Sequence, residues 1–302
     1  MNAPPSAHTN DWIVTIACDS ARGQIAAVCQ VLDAHGAYLR SVATHDDART
    51  GRFFVRIECR MPLPDAQVQD AAPPARRRRE VQAQLQALAG SYGPAEVGVH
   101  DAAHRTRVLL MVSKMDHCLV GLLDGWHSGE LPMQPVAIVS NHRDAEALAR
   151  TEGIPFHHLP VTPDTKAARE AELRQIVADS GAEFVVLARY MQVLSDDFAG
   201  PLHGRVINIH HSFLPSFKGA RPYEQAWERG VKLIGATAHF VTADLDEGPI
   251  IEQAVEPVTH ADEPERLVQR GRHVESRVLR QALRHVLERR VFLNGTRTIV
   301  LH

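Results

Sequence analysis

The sequence predicts an α/β chain in two parts: a small βαββαβ unit over residues 11–100, then a doubly wound, mostly parallel sheet over residues 106–302. Three observations predict it. Residues 11–100 run through strand, helix, strand, strand, helix and strand patterns in that order. From Val108 onward, continuous apolar runs of the kind buried on both faces of a sheet alternate with helical periodicities. Between them, residues 100–106 form a polar boundary that includes Ala102-Ala103-His104-Arg105.

In the first part, Trp12 to Cys18 reads as a buried strand and Asp19 to Gly23 as a turn. Ile25, Val28, Val31 and Leu32 recur at helical spacing over Gln24 to His35, with Gly36 as the stop. Tyr38 to Thr44 and Phe53 to Cys59 are strands joined by a loop of hairpin composition, Asp46 to Gly51. Val81, Leu85 and Leu88 mark a second helix and Ala95 to Val99 a last strand, giving a ferredoxin-like split unit. The run Arg76 to Arg79 reads as a solvated face at a helix start.

In the second part, strands are predicted at Val108 to Val112, Val136 to Val139, Phe184 to Ala188 and Val206 to Ile209. Helices are predicted at Leu119 to His127, Asp144 to Glu152 and Thr165 to Asp179, with Pro155 to Leu159 as a short edge strand. A helix at Tyr223 to Arg229 precedes strands at Leu233 to Val241 and Ile250 to Val258. Glu265 to Arg290 is a long amphipathic helix with Leu267, Val274, Val278, Leu279, Leu283, Val286 and Leu287 on its apolar side. The end reads as a small hairpin turning at Asn294-Gly295.

Composition narrows the classes of function. Apolar residues at 44% and charged residues at 23% of 302 are ordinary for a soluble globular chain. A net charge of −3 gives no reason to expect a nucleic-acid partner. No apolar run approaches the roughly 20 residues of a membrane helix. Cys18, Cys29, Cys59 and Cys118 lack metal or disulfide-framework spacing, which favours reduced thiols and a cytoplasmic location. Residues 1–10 are small and polar and read as a disordered tail without signal-peptide order.

The chemistry centres on Asn208-Ile209-His210-His211-Ser212-Phe213-Leu214-Pro215-Ser216-Phe217-Lys218-Gly219 and on Asp244-Leu245-Asp246-Glu247-Gly248-Pro249. Strand alternation sends Asn208 and His210 to one side, roughly 7 Å apart, and His211 to the other. In doubly wound sheets such strand ends face the ligand crevice. A carboxylate such as Asp246 beside an imidazole favours the imidazolium and fixes its orientation. With an amide donor, that set suits an oxyanion developing on a carbonyl. The residues alone leave a structural reading open: a structural Asn, a His satisfied by backbone and a turn aspartate. A metal set of His210, His211 and His239 lacks ligand spacing, and no metal or cofactor is expected.

These motifs, with Gly235-Ala236-Thr237-Ala238-His239-Phe240-Val241, resemble the formyltransferase family, whose enzymes handle 10-formyltetrahydrofolate. The resemblance covers about residues 106–290 and implies a Rossmann-like catalytic domain. It implies Asn208, His210 and Asp246 as the catalytic triad. It also implies a folate pocket built from Arg189, Tyr190, Met191, Gln192, Val193, Leu194, His211, Lys218, Asp244, Leu245 and Gly248. Many relatives carry arginine where this chain has Gln192. Residues 11–100, on the Asp19 to Gly23 turn and on Thr50 to Arg56, resemble an ACT domain. That implies a homo-oligomer, a dimer or tetramer, and an amino-acid effector such as glycine or methionine at Asp19 and Gly23.

Within the family, transferases acting on glycinamide ribonucleotide have a glycine-rich first βα turn, whereas this chain has Ser113-Lys114-Met115-Asp116-His117-Cys118-Leu119. Transferases usually read His-Pro-Ser where this chain reads His210-His211-Ser212. The Ser-Lys-x-x-His-Cys-Leu turn, the paired histidines, Gly219-Ala220-Arg221-Pro222-Tyr223 and the ACT-like front resemble the hydrolytic branch, in which water accepts the formyl group. The implied reaction is hydrolysis of 10-formyltetrahydrofolate to formate and tetrahydrofolate, which supplies formate for purine synthesis and balances one-carbon folate pools. In it, Asp246 helps to orient and deprotonate water while His210 and Asn208 hold the oxyanion. The alternatives are phosphoribosylglycinamide formyltransferase and a catalytically silent amino-acid-sensing module.

Overall fold

The computed structural model describes residues 10–62, 74–212, 222–242 and 244–302. The expected tail lies outside them except for Asn10, whose carbonyl accepts the Met61 N–H at 2.8 Å. Lys218 and Arg221 also lie outside the described residues. The chain forms two compact units, residues 1–104 with 289–292 and 299–302, and residues 105–288 with 293–298.

Unit 1 contains β1 (Asp11–Asp19), α1 (Gln24–Ala34), β2 (Tyr38–Asp47), β3 (Arg52–Arg60), α2 (Pro74–Gly90) and β4 (Glu96–Asp101). The strand order is β2-β3-β1-β4, and every neighbouring pair is antiparallel. Alternate residues of β1, Trp12, Val14 and Ile16, share a buried cluster with Val28 and Leu32 of α1 and Val81 and Leu85 of α2. Each such side chain contributes about 1.5–3 kcal/mol by leaving water. The arginine run is not simply a solvated face. Arg77 donates to the carbonyls of His35 (2.5 Å) and Pro62 (3.0 Å), and Arg78 pairs with Asp101 at 2.5 Å. Arg76 does meet solvent, beside Glu80.

The chain end departs from the expected grouping with residues 106–302. Phe292, Ile299 and Leu301 pack with Ala17 and Phe54 in unit 1, and the Phe54 and Phe292 rings meet edge to face at 5.6 Å. The terminal hairpin, β12 (Val291–Asn294) and β13 (Arg297–Val300), turns on Gly295-Thr296, one residue later than the sequence predicts. Gly295 has φ +63° while Thr296 stays at negative φ, so the turn places its glycine at the first central position.

Unit 2 holds β5 (Thr106–Val112), α3 (His117–His127), β6 (Met133–Ser140), α4 (Glu146–Thr151), β7 (Phe156–His158), α5 (Lys166–Ser180) and β8 (Phe184–Leu187). It continues through α6 (Asp196–Ala199), β9 (Val206–His210), α7 (Pro222–Glu228), β10 (Leu233–Phe240), β11 (Ile250–Pro257) and α8 (Pro264–Leu287). The sheet order is β11-β10-β9-β8-β5-β6-β7. Strands β5 to β9 are parallel, whereas β10 and β11 form an antiparallel hairpin beside β9. Val108 to Val112 are fully buried, as a central strand covered on both faces requires. The chain starts at β5, fills one side with β6 and β7, and returns to the other with β8. The order therefore reverses between β5 and β8, the place where such sheets bind ligands. The short α6 was not legible in the sequence: four residues are too few to show a period, although Ser195 Oγ caps it by accepting Phe198 N–H at 3.3 Å. No helix among the described residues is long and apolar enough to cross a membrane.

Candidate active site

The carboxyl ends of β8 and β9 and the β10–β11 loop enclose a cleft of about 220 Å³. Asn208 and His210 project into it together from β9, as alternation predicts. Antiparallel pairing sets His239 of β10 directly opposite Asn208, and the β10–β11 register slips beside His239. Bulges of this kind recur next to active sites, where they re-aim a side chain.

The Asp246 loop reaches back because of two backbone devices. Asp246 sits at φ +59°, a left-handed conformation that Asp and Asn tolerate better than most residues. Gly248 lies so close to β10 that a Cβ would stand 1.7 Å from the Phe240 carbonyl oxygen, so only glycine fits there.

One carboxylate then spans the pair. Asp246 Oδ2 lies 3.1 Å from His210 Nδ1, and Asp246 Oδ1 accepts from Asn208 Nδ2 at 3.4 Å. His239 donates Nδ1–H to the Phe240 carbonyl at 2.8 Å, which leaves its Nε2 to accept from Asn208 Nδ2 at 3.3 Å. Burial opposes ionisation of Asp246, but the facing His210 imidazole outweighs it and holds the carboxyl well below the usual carboxylate range. A carboxylate engaged on both oxygens and so acidic is a poor base. Its role is to orient the His210 ring, whose Nε2 is buried and without a partner.

His211 corrects the alternation argument. The strand ends at His210, so the next ring does not turn away; it stacks on His210 at 4.8 Å and 26°. Burial, helped by the Arg189 and His210 charges and opposed by Glu275 and Asp246, pushes the His211 imidazole down to about 4. It is neutral at pH 7.

Behind the cleft lies a second cluster that sequence reasoning did not find. Glu275 of α8 is 1% exposed, which a lone carboxylate does not tolerate. Tyr223 Oη donates to its Oε1 at 2.6 Å, and His117 Nε2 lies 2.8 Å from its Oε2. The Arg189 Nε comes within 3.3 Å of Oε2, close enough for an ion pair though not aligned as a hydrogen bond. Burial works against the charge, yet these partners keep Glu275 below its ordinary value. Gly271, one turn earlier, makes room for Tyr223: a Cβ there would stand 2.0 Å from Oη. The signal was available, because Glu275 falls among Gly271, Val274, Val278 and Leu279 on the buried face of α8. His117, Cys118 and Glu275 are also the one group of potential metal ligands close together among the described residues. Burial raises the Cys118 thiol far above its ordinary value, and the Arg189 guanidinium occupies the place of a cation.

Of the expected pocket residues, Arg189 to Leu194, His211, Asp244 and Leu245 line the cleft. Gly248 does not; its part is the close approach to β10. Arg189 has φ +67°, and Ser113 fastens this segment at two points. The Ser113 N–H donates to the Arg189 carbonyl at 3.2 Å, and the Ser113 Oγ accepts Met191 N–H at 2.9 Å. Met191, Val193 and Leu245 are more than half exposed, an apolar rim suited to a flat ring. In unit 1, Gly23 lines a concavity of about 500 Å³ with Ser20, Gln24, Asp46 and Phe53. Asp19 does not line it and pairs instead with Arg52 at 3.2 Å.

The chain is similar to known proteins along most of its length. The formyl transferase family model matches residues 106–283. The formyltetrahydrofolate deformylase of Corynebacterium sp. (strain P-1) is 45% identical over 96% of this chain and 97% of its own length. That of Escherichia coli K12 is 38% identical over 94% and 96%. A crystal structure of the Burkholderia mallei formyltetrahydrofolate deformylase, 49% identical, superposes with a TM-score of 0.88 over 97% of this chain and 100% of that one. A glycinamide ribonucleotide transformylase from Symbiobacterium toebii, 35% identical, covers only 66% of this chain, with a TM-score of 0.61. With relatives matched along nearly their whole length, both units included, the chain belongs to the formyltetrahydrofolate deformylase family.

Proposed function

We propose that the protein hydrolyses 10-formyltetrahydrofolate to tetrahydrofolate and formate. The observation that carries this reading is the single carboxylate, Asp246, bridging His210 and Asn208 inside a cleft with an apolar rim. The pterin lies along Met191 to Leu194 and Leu245, and the formyl group sits between Asn208 and His210. The two Asn208 amide contacts are long, at 3.3 and 3.4 Å, so a formyl oxygen offers its N–H a better acceptor. His210, protonated and oriented through Nδ1 by Asp246, donates from Nε2 to the same oxygen as charge develops on it. Water adds to the formyl carbon, and collapse of the tetrahedral intermediate expels tetrahydrofolate.

The test is release of tetrahydrofolate and formate from 10-formyltetrahydrofolate with no amine present. Turnover that appears only when glycinamide ribonucleotide is added would replace this reading by formyl transfer. No turnover with either acceptor would leave a catalytically silent sensing module.

Residues 11–100 serve, in this proposal, as an ACT-type regulatory domain of a cytoplasmic homo-oligomer, with residues 105–288 as the catalytic domain. The βαββαβ order, the β2-β3-β1-β4 sheet and the concavity beside Gly23 support it. Equilibrium dialysis of glycine and methionine against the full chain is expected to show saturable binding of one of them. Binding of neither would end the effector proposal.

A further inference from the structure

Hydrolysis needs a group that the triad does not supply. Water must shed a proton as it adds to the formyl carbon, and Asp246 is spent on His210 and Asn208. His210 Nε2 serves as the donor to the developing oxyanion. Among the described residues, two buried imidazole nitrogens on the cleft wall, His210 Nε2 and His211 Nε2, have no hydrogen-bond partner, while Arg189 Nε faces Glu275 at 3.3 Å. Unanswered buried polar atoms are rare in native proteins, and two on adjacent stacked rings point to a polar reactant. With His210 as the donor, the acceptor is His211.

We propose, building on the hydrolytic reading above, that His211 is a catalytic residue whose Nε2 takes the proton of the attacking water and passes it to N10 of the departing folate. As the water oxygen bonds to the formyl carbon, the carbonyl pair moves to the oxygen held by Asn208 and His210. When the carbon–nitrogen bond breaks, its electron pair goes to N10 and picks up the proton from His211. Formic acid then ionises to formate. Stacking on His210 sets the acceptor ring beside the ring that binds the oxyanion.

The groups that act electrostatically on His211 are Arg189, His210, Glu275 and Asp246. The two cations and burial together keep its lone pair free at neutral pH, and Glu275 holds Arg189 in place. An amine acceptor brings its own lone pair. The proline that formyl transferases of this family usually carry at this position cannot accept a proton, so the histidine goes with water as acceptor.

The test uses His211→Asn and His211→Phe in the full chain. Tetrahydrofolate release into water is expected to fall roughly 100-fold or more in both, with folate affinity within a few-fold of the parent. Hydroxylamine, a stronger nucleophile than water, is expected to restore tetrahydrofolate release in both variants, with formohydroxamate as the second product. Hydrolysis within a few-fold of the parent would overturn the proposal. So would hydroxylamine turnover that falls as far as hydrolysis, or loss of folate binding in both variants, since each assigns His211 to the triad or to the fold. A parent protein that does not hydrolyse the substrate at all would sink the functional reading first and this proposal with it.

Discussion

Replacing Asp246 with asparagine is expected to lower turnover about 10³–10⁴-fold, the scale seen when the carboxylate that orients a catalytic imidazole becomes an amide. The substitution removes a charge and little else. Asp246 lies at φ +59°, and asparagine tolerates the left-handed region, so the loop keeps its path. Gly248 still fastens that loop against Phe240. What changes is the face offered to His210. An amide at Oδ2 either presents N–H to the Nδ1–H now 3.1 Å away, or accepts from it without favouring the cation. The imidazolium that stabilises the oxyanion is lost in both cases. Folate affinity is expected to stay within a few-fold, because the rim formed by Met191, Val193 and Leu245 is untouched. Single-turnover kinetics beside equilibrium folate binding checks this, and turnover near the parent value would remove Asp246 from the mechanism.

The legible parts of the site were those governed by local rules. Alternation along β9 placed Asn208 and His210 on one side, and the structure spans them with one carboxylate. The same rule failed one residue later, because His211 lies beyond the last strand residue and its ring is free to stack. Nothing local brings Asp246 to β9; only the motif resemblance anticipated that contact, and it gave Gly248 as a pocket residue rather than as the close approach to β10 on which the contact depends. His239 was noticed as a possible metal ligand, but its cross-strand partnership with Asn208 needs the β9–β10 register, which the sequence does not state. The return of Phe292 and Leu301 to the β1–β3 sheet is long-range packing of the same kind. Glu275 is different, since a carboxylate on the apolar face of α8 was visible and required partners. Two of its partners, His117 and Tyr223, lie in the Ser113 to Leu119 turn and the Gly219 to Tyr223 stretch on which the resemblance to the hydrolytic branch rests.

Glu275→Gln is expected to cost about 3–5 kcal/mol of stability, the scale for removing one partner of a buried ion pair. This loss does not require the intact cluster to outperform an apolar core. It arises because the Arg189 guanidinium, 10% exposed, is left without its carboxylate while the glutamine amide turns an N–H toward either Arg189 or His117. Tyr223 keeps an acceptor in the amide oxygen, so the loss falls on the cationic side. For a unit of this size that corresponds to a melting temperature lower by roughly 6–20 °C. The pH dependence has a definite sign. Glu275 is held below its unfolded value, so its contribution is present above about 4.5 and is lost as pH falls through the folded value. The gap between parent and variant in urea unfolding should therefore be full at pH 7 and shrink on acidification. Turnover should fall as well, because Arg189 loses the carboxylate that holds it on the cleft wall, and added folate should recover only part of the lost stability. A gap under about 1 kcal/mol at pH 7, the range of an exposed pair, would mean that solvent reaches the cluster and that Arg189 is held by its backbone and Ser113 alone.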